Sequence, residues 1–460
     1  MVFLHQGIWS DEIFSYAMAI IPFNEFLEIG IHDVHPLLYY IILRIFFGLA
    51  LFFNFENLVL ISKFVSIIPI YLLLIISYTK IKNEFGLFTA AIFSLCILSM
   101  PQLMIYSVEV RMYTWSLFFN TASFIIIYEL IKRPTIKNWI ILTILTICSC
   151  YTHYFSAITS IVLYLMFLIY IIINKKELIK RWVISTIICC LSFIPWIPYL
   201  ILQLTNVNSD FWIDPISLNS IITYIYYILS PATTFAYSNI TLQPTIIGTL
   251  MLITIFALIV YSLKHKEEKE IIYSYYGLII VILVPIIGII LSLIMTPIMH
   301  PRYLVPLLGI FWLSISILIS KIYINKNILT AIILLLIIIG SIGTLNFIEI
   351  ENQQATDDKN ISKSFTDIII TNNTTIFYDE VIPYLKLSNY YLNGNVENIY
   401  FKENIGQNIK NTLENSTNLG NNIYYVDAYD SNYEECINNN IKLDKKGTVI
   451  KYDIYEVFPK

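Results

Sequence analysis

The chain has 460 residues, 57% of them hydrophobic and only 13% charged; soluble domains carry about 25% charged residues, so an ordinary soluble protein is excluded and most of the chain belongs in lipid. A formal net charge of −4 excludes the strongly basic balance of a nucleic-acid-binding protein. Of the cysteines, Cys96, Cys148, Cys150, Cys189 and Cys190 fall in apolar stretches and Cys436 in polar sequence, a pattern that suggests neither a disulfide framework nor a metal site.

In chain order, "MVFLHQGIWSDE" has neither the basic start and apolar core of a signal peptide nor the length of a spanning helix. It places Asp11 and Glu12 beside Trp9, ahead of the first long apolar run. "HDVHPLLYY" then opens an apolar helix over 36–53 with Arg44 in its middle. A spanning helix needs about 20 mainly apolar residues, and about ten candidates follow, at 57–79, 85–103, 112–131, 138–152, 155–173, 183–202, 243–263, 271–295, 304–320 and 328–348. Basic clusters at 80–82, 132–137, 175–181, 264–269 and 321–326 occupy alternate loops, which the positive-inside rule assigns to the cytoplasm. That alternation requires 57–79 to run from outside to inside. Segment 36–53 is therefore expected to lie in the interface; a true span with an inner N-terminus is the alternative.

After about residue 350 the pattern changes. Three stretches, beginning "NTTIFYDE", "NIYFKENIG" and "NNIYYVDAY", each read as a short strand followed by a polar helix, and "TVIKYDIYEVF" adds a final strand or hairpin. Such repeats predict a small α/β domain with a parallel sheet. It has no glycine-rich phosphate loop, which argues against a nucleotide site. The expected class is an α-helical polytopic membrane protein with juxtamembrane helices and a small C-terminal α/β domain. Its expected divisions are an outer-face segment 1–56 with the Asp-Glu motif, a transmembrane core 57–348 and an extracytoplasmic domain 349–460. The sequons at Asn239, Asn360, Asn372, Asn373 and Asn415 all fall on the outer side of this scheme.

The outer loops also hold His5, His32, His35, His153 and His300, leaving only His265 inside. Asp11 and Glu12 are carboxylates at a membrane boundary, where apolar surroundings suit a general base; the plainer reading is an acidic N-cap by Ser10 or Asp11. Glu109 and Arg111, in "YSVEVRMY", stand between two spans. Arg111 offers a planar fork of donors to a phosphate, or the two form a surface pair. Arg302, beside His300 in "MHPRY", reads as a second phosphate ligand or an interfacial anchor. Lys63 is read equally well as a site residue or as snorkelling to headgroups. His35 and His153 are either site residues or helix-end caps. His32, Asp33 and His35 are metal-ligand types without a recognised spacing, and Asp210, Trp212 and Asp214 suit sugar contact or a plain interface loop. Together these residues describe one outer-face site opening onto lipid, suited to a lipid phosphate.

In order, "WSDEIFS", "DVHPLLYY", "YSVEVRMY", "YTHYF" and "PRYL" resemble the GT-C superfamily of polytopic glycosyltransferases, closest to prokaryotic relatives of protein O-mannosyltransferases and aminoarabinose transferases. The resemblance covers about residues 7–320. It implies a polyprenyl-phosphate sugar donor and inverting transfer at the outer face. Asp11 would be the catalytic base and Glu12 would position the acceptor or the base. His35 and Pro36 would open the helix lining the donor site. Glu109 and Arg111 would belong to the second outer loop, and Arg302 would help hold the donor phosphate. Lys63, His153 and His300 join them as donor or substrate contacts. Two departures stand out. The family's spanning helix ahead of the Asp-Glu motif is not among these residues, which leads to the expectation of a mis-assigned start or a truncated gene. The motif also reads "HPLL" where the family commonly has two prolines.

The expected partners are the polyprenyl-phosphate-sugar donor, membrane lipids and an acceptor that is protein, lipid or glycan, with no nucleic acid. No cofactor is required; a divalent metal is compatible with the paired acids, but nothing demands one. The rival classes are a flippase for lipid-linked sugars, which would place charges near the bilayer midplane within internal repeats, and a cell-surface glycan polymerase.

Overall fold

Apolar runs in lipid must satisfy their backbone groups internally, and a helix does so within one segment. The structure, a computed structural model, describes residues 7–206, 213–229, 242–265, 268–322, 325–392, 395–415, 419–428 and 432–458. His5, Asp210, Trp212 and Asn239 lie outside these residues. The chain divides into two units, Phe23–Glu349 and a second made of Met1–Pro22 with Ile350–Lys460.

Among the described residues, eight helices are long and apolar enough to cross a membrane: Leu58–Phe85, Tyr113–Lys132, Tyr154–Asn174, Lys176–Thr205, Thr245–Ser262, Lys269–Ile294, Pro301–Lys321 and Lys326–Ile368. The chain is a multi-pass membrane protein. Two of the expected spans differ from expectation. The run 85–103 is broken into Leu87–Ser99 and Pro101–Val108, bent by 62°. Pro101 lacks an N–H and drives Met100 into extended backbone (φ −71, ψ 131), which ends the first helix. The run 138–152 forms Ile136–Cys150, only 15 residues, about 22 Å at 1.5 Å per residue. Leu38–Phe52 is equally short at 15 residues, below the ~30 Å of a hydrocarbon core, and its Ile41, Ile45, Leu49 and Phe52 form an exposed apolar stripe. Lys326–Ile368 continues well past its apolar part, because no proline or glycine interrupts the sequence after Gly343 before its end.

In the larger unit, Tyr113–Lys132 and Pro301–Lys321 are buried on nearly every side. Small residues let these helices approach, the usual device where lipid offers no hydrophobic driving force. A Cβ added to Gly309 would lie 1.9 Å from Thr121 Oγ1, and one on Gly277 2.1 Å from Ser314 Oγ. The Thr114 hydroxyl donates to the Ser66 carbonyl at 2.7 Å, and the Trp115 indole to that of Val65 at 3.2 Å. Asn120, Ser149, Ser156 and Ser160 satisfy one another in a buried polar knot.

The basic loops gather at one end of these helices. Lys80 pairs with Glu129 at 2.5 Å, and Lys132 and Arg133 both pair with Glu84. Arg181 donates to the Pro134 carbonyl at 3.3 Å and Tyr128 to Glu270 at 3.3 Å. The segregation expected from charge is therefore present as geometry: the opposite ends of the same helices carry Tyr113, His153 and Arg302.

In the smaller unit, β1 (Asn372–Tyr378), β2 (Asn395–Tyr400), β3 (Asn422–Asp427), β4 (Lys442–Val449) and β5 (Tyr452–Phe458) form one sheet of order β2-β1-β3-β5-β4. The β1 strand pairs in parallel with β2 and β3, while β5 is antiparallel to β3 and closes a hairpin with β4. The strand–helix repeats thus give the parallel part and the last stretch a hairpin. One core holds Phe377, Ile405, Ile409, Tyr425 and Cys436. The helix Ser10–Ile20 packs against Val381–Lys386 and the following turn Leu387–Tyr391.

Candidate active site

In the larger unit, the site is built where helices begin. His153 is the N-cap of Tyr154–Asn174, with extended backbone (φ −160, ψ 141), and its Nδ1 accepts the Phe155 N–H at 3.1 Å. His300 caps Pro301–Leu304 in the same way, its Nδ1 accepting from Arg302 N–H at 3.4 Å. Capping is therefore real for both. It also fixes chemistry: a neutral imidazole that accepts at Nδ1 carries its proton on Nε2. The His153 Nε2 is buried and meets no hydrogen-bond partner among the described residues. The same holds for the Tyr113 hydroxyl, at the first position of the helix Tyr113–Lys132.

Around these donors lie His35, stacked on His153 at 5.1 Å between ring centroids, and Tyr303, 4.9 Å from the His153 ring. The Arg302 guanidinium sits over Tyr113 at 6.0 Å and Tyr303 at 5.8 Å. Arg111 and Arg302 both act electrostatically on His35 and His153, and on Tyr113 together with Glu109. Arg111 is 5% exposed, Arg302 8% and Glu109 9%. These figures overturn two of the plainer readings: Glu109 and Arg111 are not a surface pair, and Arg302 is not an anchor in the headgroups. Lys63 is likewise 1% exposed within Leu58–Ile76, so snorkelling does not describe it.

Burial holds His35 and His153 well below the usual imidazole range, and the two arginines add to that. Both rings are neutral at physiological pH. Among the described residues the cluster thus combines two guanidiniums and one carboxylate with neutral imidazole and phenol donors. Such a buried, net-positive site suits an anion with several oxygens. The "HDVH" residues separate: His32 turns to the Glu28 carbonyl at 2.8 Å, Asp33 accepts from Tyr40 at 2.9 Å, and only His35 joins the cluster. Among the described residues no group of three or more His, Cys, Asp or Glu is placed to hold a metal ion.

The smaller unit holds the Asp-Glu motif. The helix Ser10–Ile20 has Trp9 as its N-cap, and Glu12 reaches back to accept the Trp9 N–H at 2.9 Å. The N-cap is therefore Trp9, rather than Ser10 or Asp11, and the Glu12 carboxylate closes the capping box. Glu12 is 2% exposed and Asp11 partly exposed on the first turn. The helix N-terminus favours negative charge at both positions.

Tyr113 and Tyr303 stand inside the motifs "RMY" and "PRY", yet sequence reasoning gave them no role. Their placement beside the motif arginines was the available signal. Tyr106, which opens "YSVEVRMY", and Tyr227 act electrostatically with Glu109 and Arg302; Tyr227 stands in none of the motifs.

No family model and no curated protein matches the sequence. Solved structures match the fold. ArnT from Cupriavidus metallidurans in the apo state superposes with a TM-score of 0.63 at 8% identity, covering 99% of this chain and 95% of that one. The same protein bound to undecaprenyl phosphate gives a TM-score of 0.60 at 10% identity, covering 98% and 94%. The chain has the ArnT fold, in agreement with the GT-C resemblance of its motifs.

Proposed function

We propose that this chain is an inverting glycosyltransferase that moves a sugar from a polyprenyl-phosphate donor to an acceptor hydroxyl at the outer membrane face. The observation that carries the reading is the buried cluster of Arg111, Arg302, His35, His153 and Tyr113 at the ends of membrane helices. A lipid phosphate can stay in the bilayer by its chain and meet this cluster with its oxygens. Undecaprenyl phosphate on the fold-sharing ArnT supports the same donor class. The multi-pass core, with its basic loops gathered at the opposite end, supports the outer-face orientation by the positive-inside rule.

In the proposed step the Asp11 carboxylate takes the proton of the acceptor hydroxyl as that oxygen attacks the anomeric carbon. The bond from that carbon to the phosphate oxygen breaks, and its electron pair leaves on the lipid phosphate. Arg111 and Arg302 match the charge that develops there, and the Nε2–H of His153 and the Tyr113 hydroxyl donate to the same oxygens. Such preorganised donors are often the largest single contribution to catalysis. Glu12 fixes the start of the helix that carries Asp11. The acceptor is a protein, lipid or glycan hydroxyl.

The test is incubation of the purified protein in proteoliposomes with synthetic undecaprenyl-phosphate sugars, reading free undecaprenyl phosphate and the anomeric configuration of the product. Release of the lipid phosphate with inversion supports the reading. Labelled donor that crosses the bilayer intact overturns it in favour of a flippase.

A further inference from the structure

Lys386 is the last residue of the helix Val381–Lys386 in the α/β domain, and it is 5% exposed. Its ammonium donates to Ser10 Oγ, on the first turn of the N-terminal helix, and to the Tyr452 hydroxyl of β5 at 3.4 Å. Asp11 is the acidic group that acts on it, and Lys451 the basic one. The same part of the chain is gripped a second time. Tyr390 and Tyr391 both donate to Asp358, at 2.8 and 3.2 Å, and a Cβ on Gly7 would lie 2.5 Å from that carboxylate. Tyr16, one helical turn beyond Glu12, meets Tyr390 edge to face at 5.9 Å.

A buried ammonium at this place is unfavourable for stability alone. It is removed from water, and the positive end of the helix it meets at Ser10 opposes the favourable C-terminal end of its own short helix. An apolar side chain of similar length would pack there without either cost. What the ammonium supplies is a fixed positive charge next to the Asp11 carboxylate, which favours the ionised form.

We propose that Lys386 is a positioning residue for Asp11, so that the α/β domain completes the surroundings of the Asp-Glu motif. The inference rests on Asp11 acting as the base. Lys386 holds that carboxylate ionised and oriented before it receives the acceptor proton, and does not itself touch the substrate. Burial draws Lys386 down to about 8, with Lys451 in the same direction and Asp11 opposing. The groups facing it are Ser10 and Asp11 from the N-terminal helix, Tyr452 from β5, and Lys451 from the β4–β5 turn. Its charge is present at neutral pH and is lost as pH rises through about 8.

The test uses the full chain as wild type, Lys386→Met, Lys386→Arg and Asp11→Asn. With a synthetic undecaprenyl-phosphate sugar, Lys386→Met is expected to lower kcat at pH 7 by about ten- to a hundred-fold, with KM for the donor changed less than about two-fold. Wild-type kcat is expected to fall as pH rises through about 8, where Lys386 loses its charge, and Lys386→Arg, which stays charged, is expected to move that fall to higher pH. An unchanged kcat in Lys386→Met, or an alkaline limb that Lys386→Arg does not move, overturns the proposal. Should Lys386→Met fail to fold, the Lys386→Arg profile decides alone. Should the wild type release no lipid phosphate from any donor, the transferase reading fails separately, and the pairing is decided by NMR of 13Cε-lysine. The Lys386 resonance must then titrate at lower pH in Asp11→Asn than in wild type; the same midpoint in both overturns it.

Discussion

His35 and His153 stack face to face, with ring centroids 5.1 Å apart, and two buried arginines, Arg111 and Arg302, act electrostatically on both. The arrangement is stable only while both rings are neutral. In the folded chain each is held below the ordinary imidazole value near 6.5, whereas in the unfolded chain each takes a proton on acidification through that value. The unfolded state therefore binds more protons below pH 6.5. The contribution is fully present above pH 6.5 and is lost as pH falls, by up to about 1.4 kcal/mol per pH unit for each ring. Thermal unfolding in detergent should show Tm falling between pH 6.5 and 5, with a shallower fall in His35→Phe. Equal slopes for both proteins contradict this account of the pair.

The two jobs of His153 are separable by substitution. Asparagine is a good N-cap but lacks an Nε2–H. His153→Asn should keep Tm near wild type while weakening undecaprenyl-phosphate binding about ten-fold, the cost of one donor to a charged group. His153→Ala should lose both, with about 1 kcal/mol of stability from the cap. Binding read by fluorescence with a labelled lipid phosphate distinguishes the pair; wild-type affinity in His153→Asn would leave capping as its whole role.

Arg302 rests over Tyr113 and Tyr303. A stacked guanidinium is poorly replaced by an ammonium, so Arg302→Lys should weaken undecaprenyl-phosphate binding nearly as much as Arg302→Ala does. The expected loss for alanine is about 10- to 100-fold, from a charge-assisted contact worth about 1.5–3 kcal/mol. A Kd within two-fold of wild type for both variants would remove Arg302 from the phosphate site.

The central helices meet where Gly309 faces Thr121, leaving 1.9 Å for any added Cβ. Gly309→Ala should destabilise the protein by about 1–3 kcal/mol through overpacking. Thr121→Ala removes the obstructing hydroxyl and should restore most of that loss in the double variant. Tm values for the four proteins of this cycle check it, and additive losses would mean that the two residues do not meet as described.

Much of the fold was legible because lipid allows few solutions. Apolar length marked the long helices, and alternating basic loops foresaw the ionic end built from Lys80, Glu84, Glu129 and Lys132. The break at Pro101 was written in the sequence, but hydropathy averages over it. The strand–helix repeats marked the α/β domain because short apolar runs such as that of β1, whose last five residues are buried in succession, each precede a polar stretch. At the site, residue types and side were legible while burial was not. Arg302 and Lys63 read equally well as interfacial residues, and only packing decides between headgroups and interior. Lys386 left no trace in the sequence, since its meaning depends on a distant helix start being laid against it.

The central claim is tested most directly by transfer of radiolabelled sugar from synthetic polyprenyl-phosphate donors in membranes, comparing wild type with Asp11→Asn. The account predicts that label reaches an acceptor with wild type and not with Asp11→Asn, while both bind the donor equally. Transfer at the wild-type rate by Asp11→Asn would contradict it.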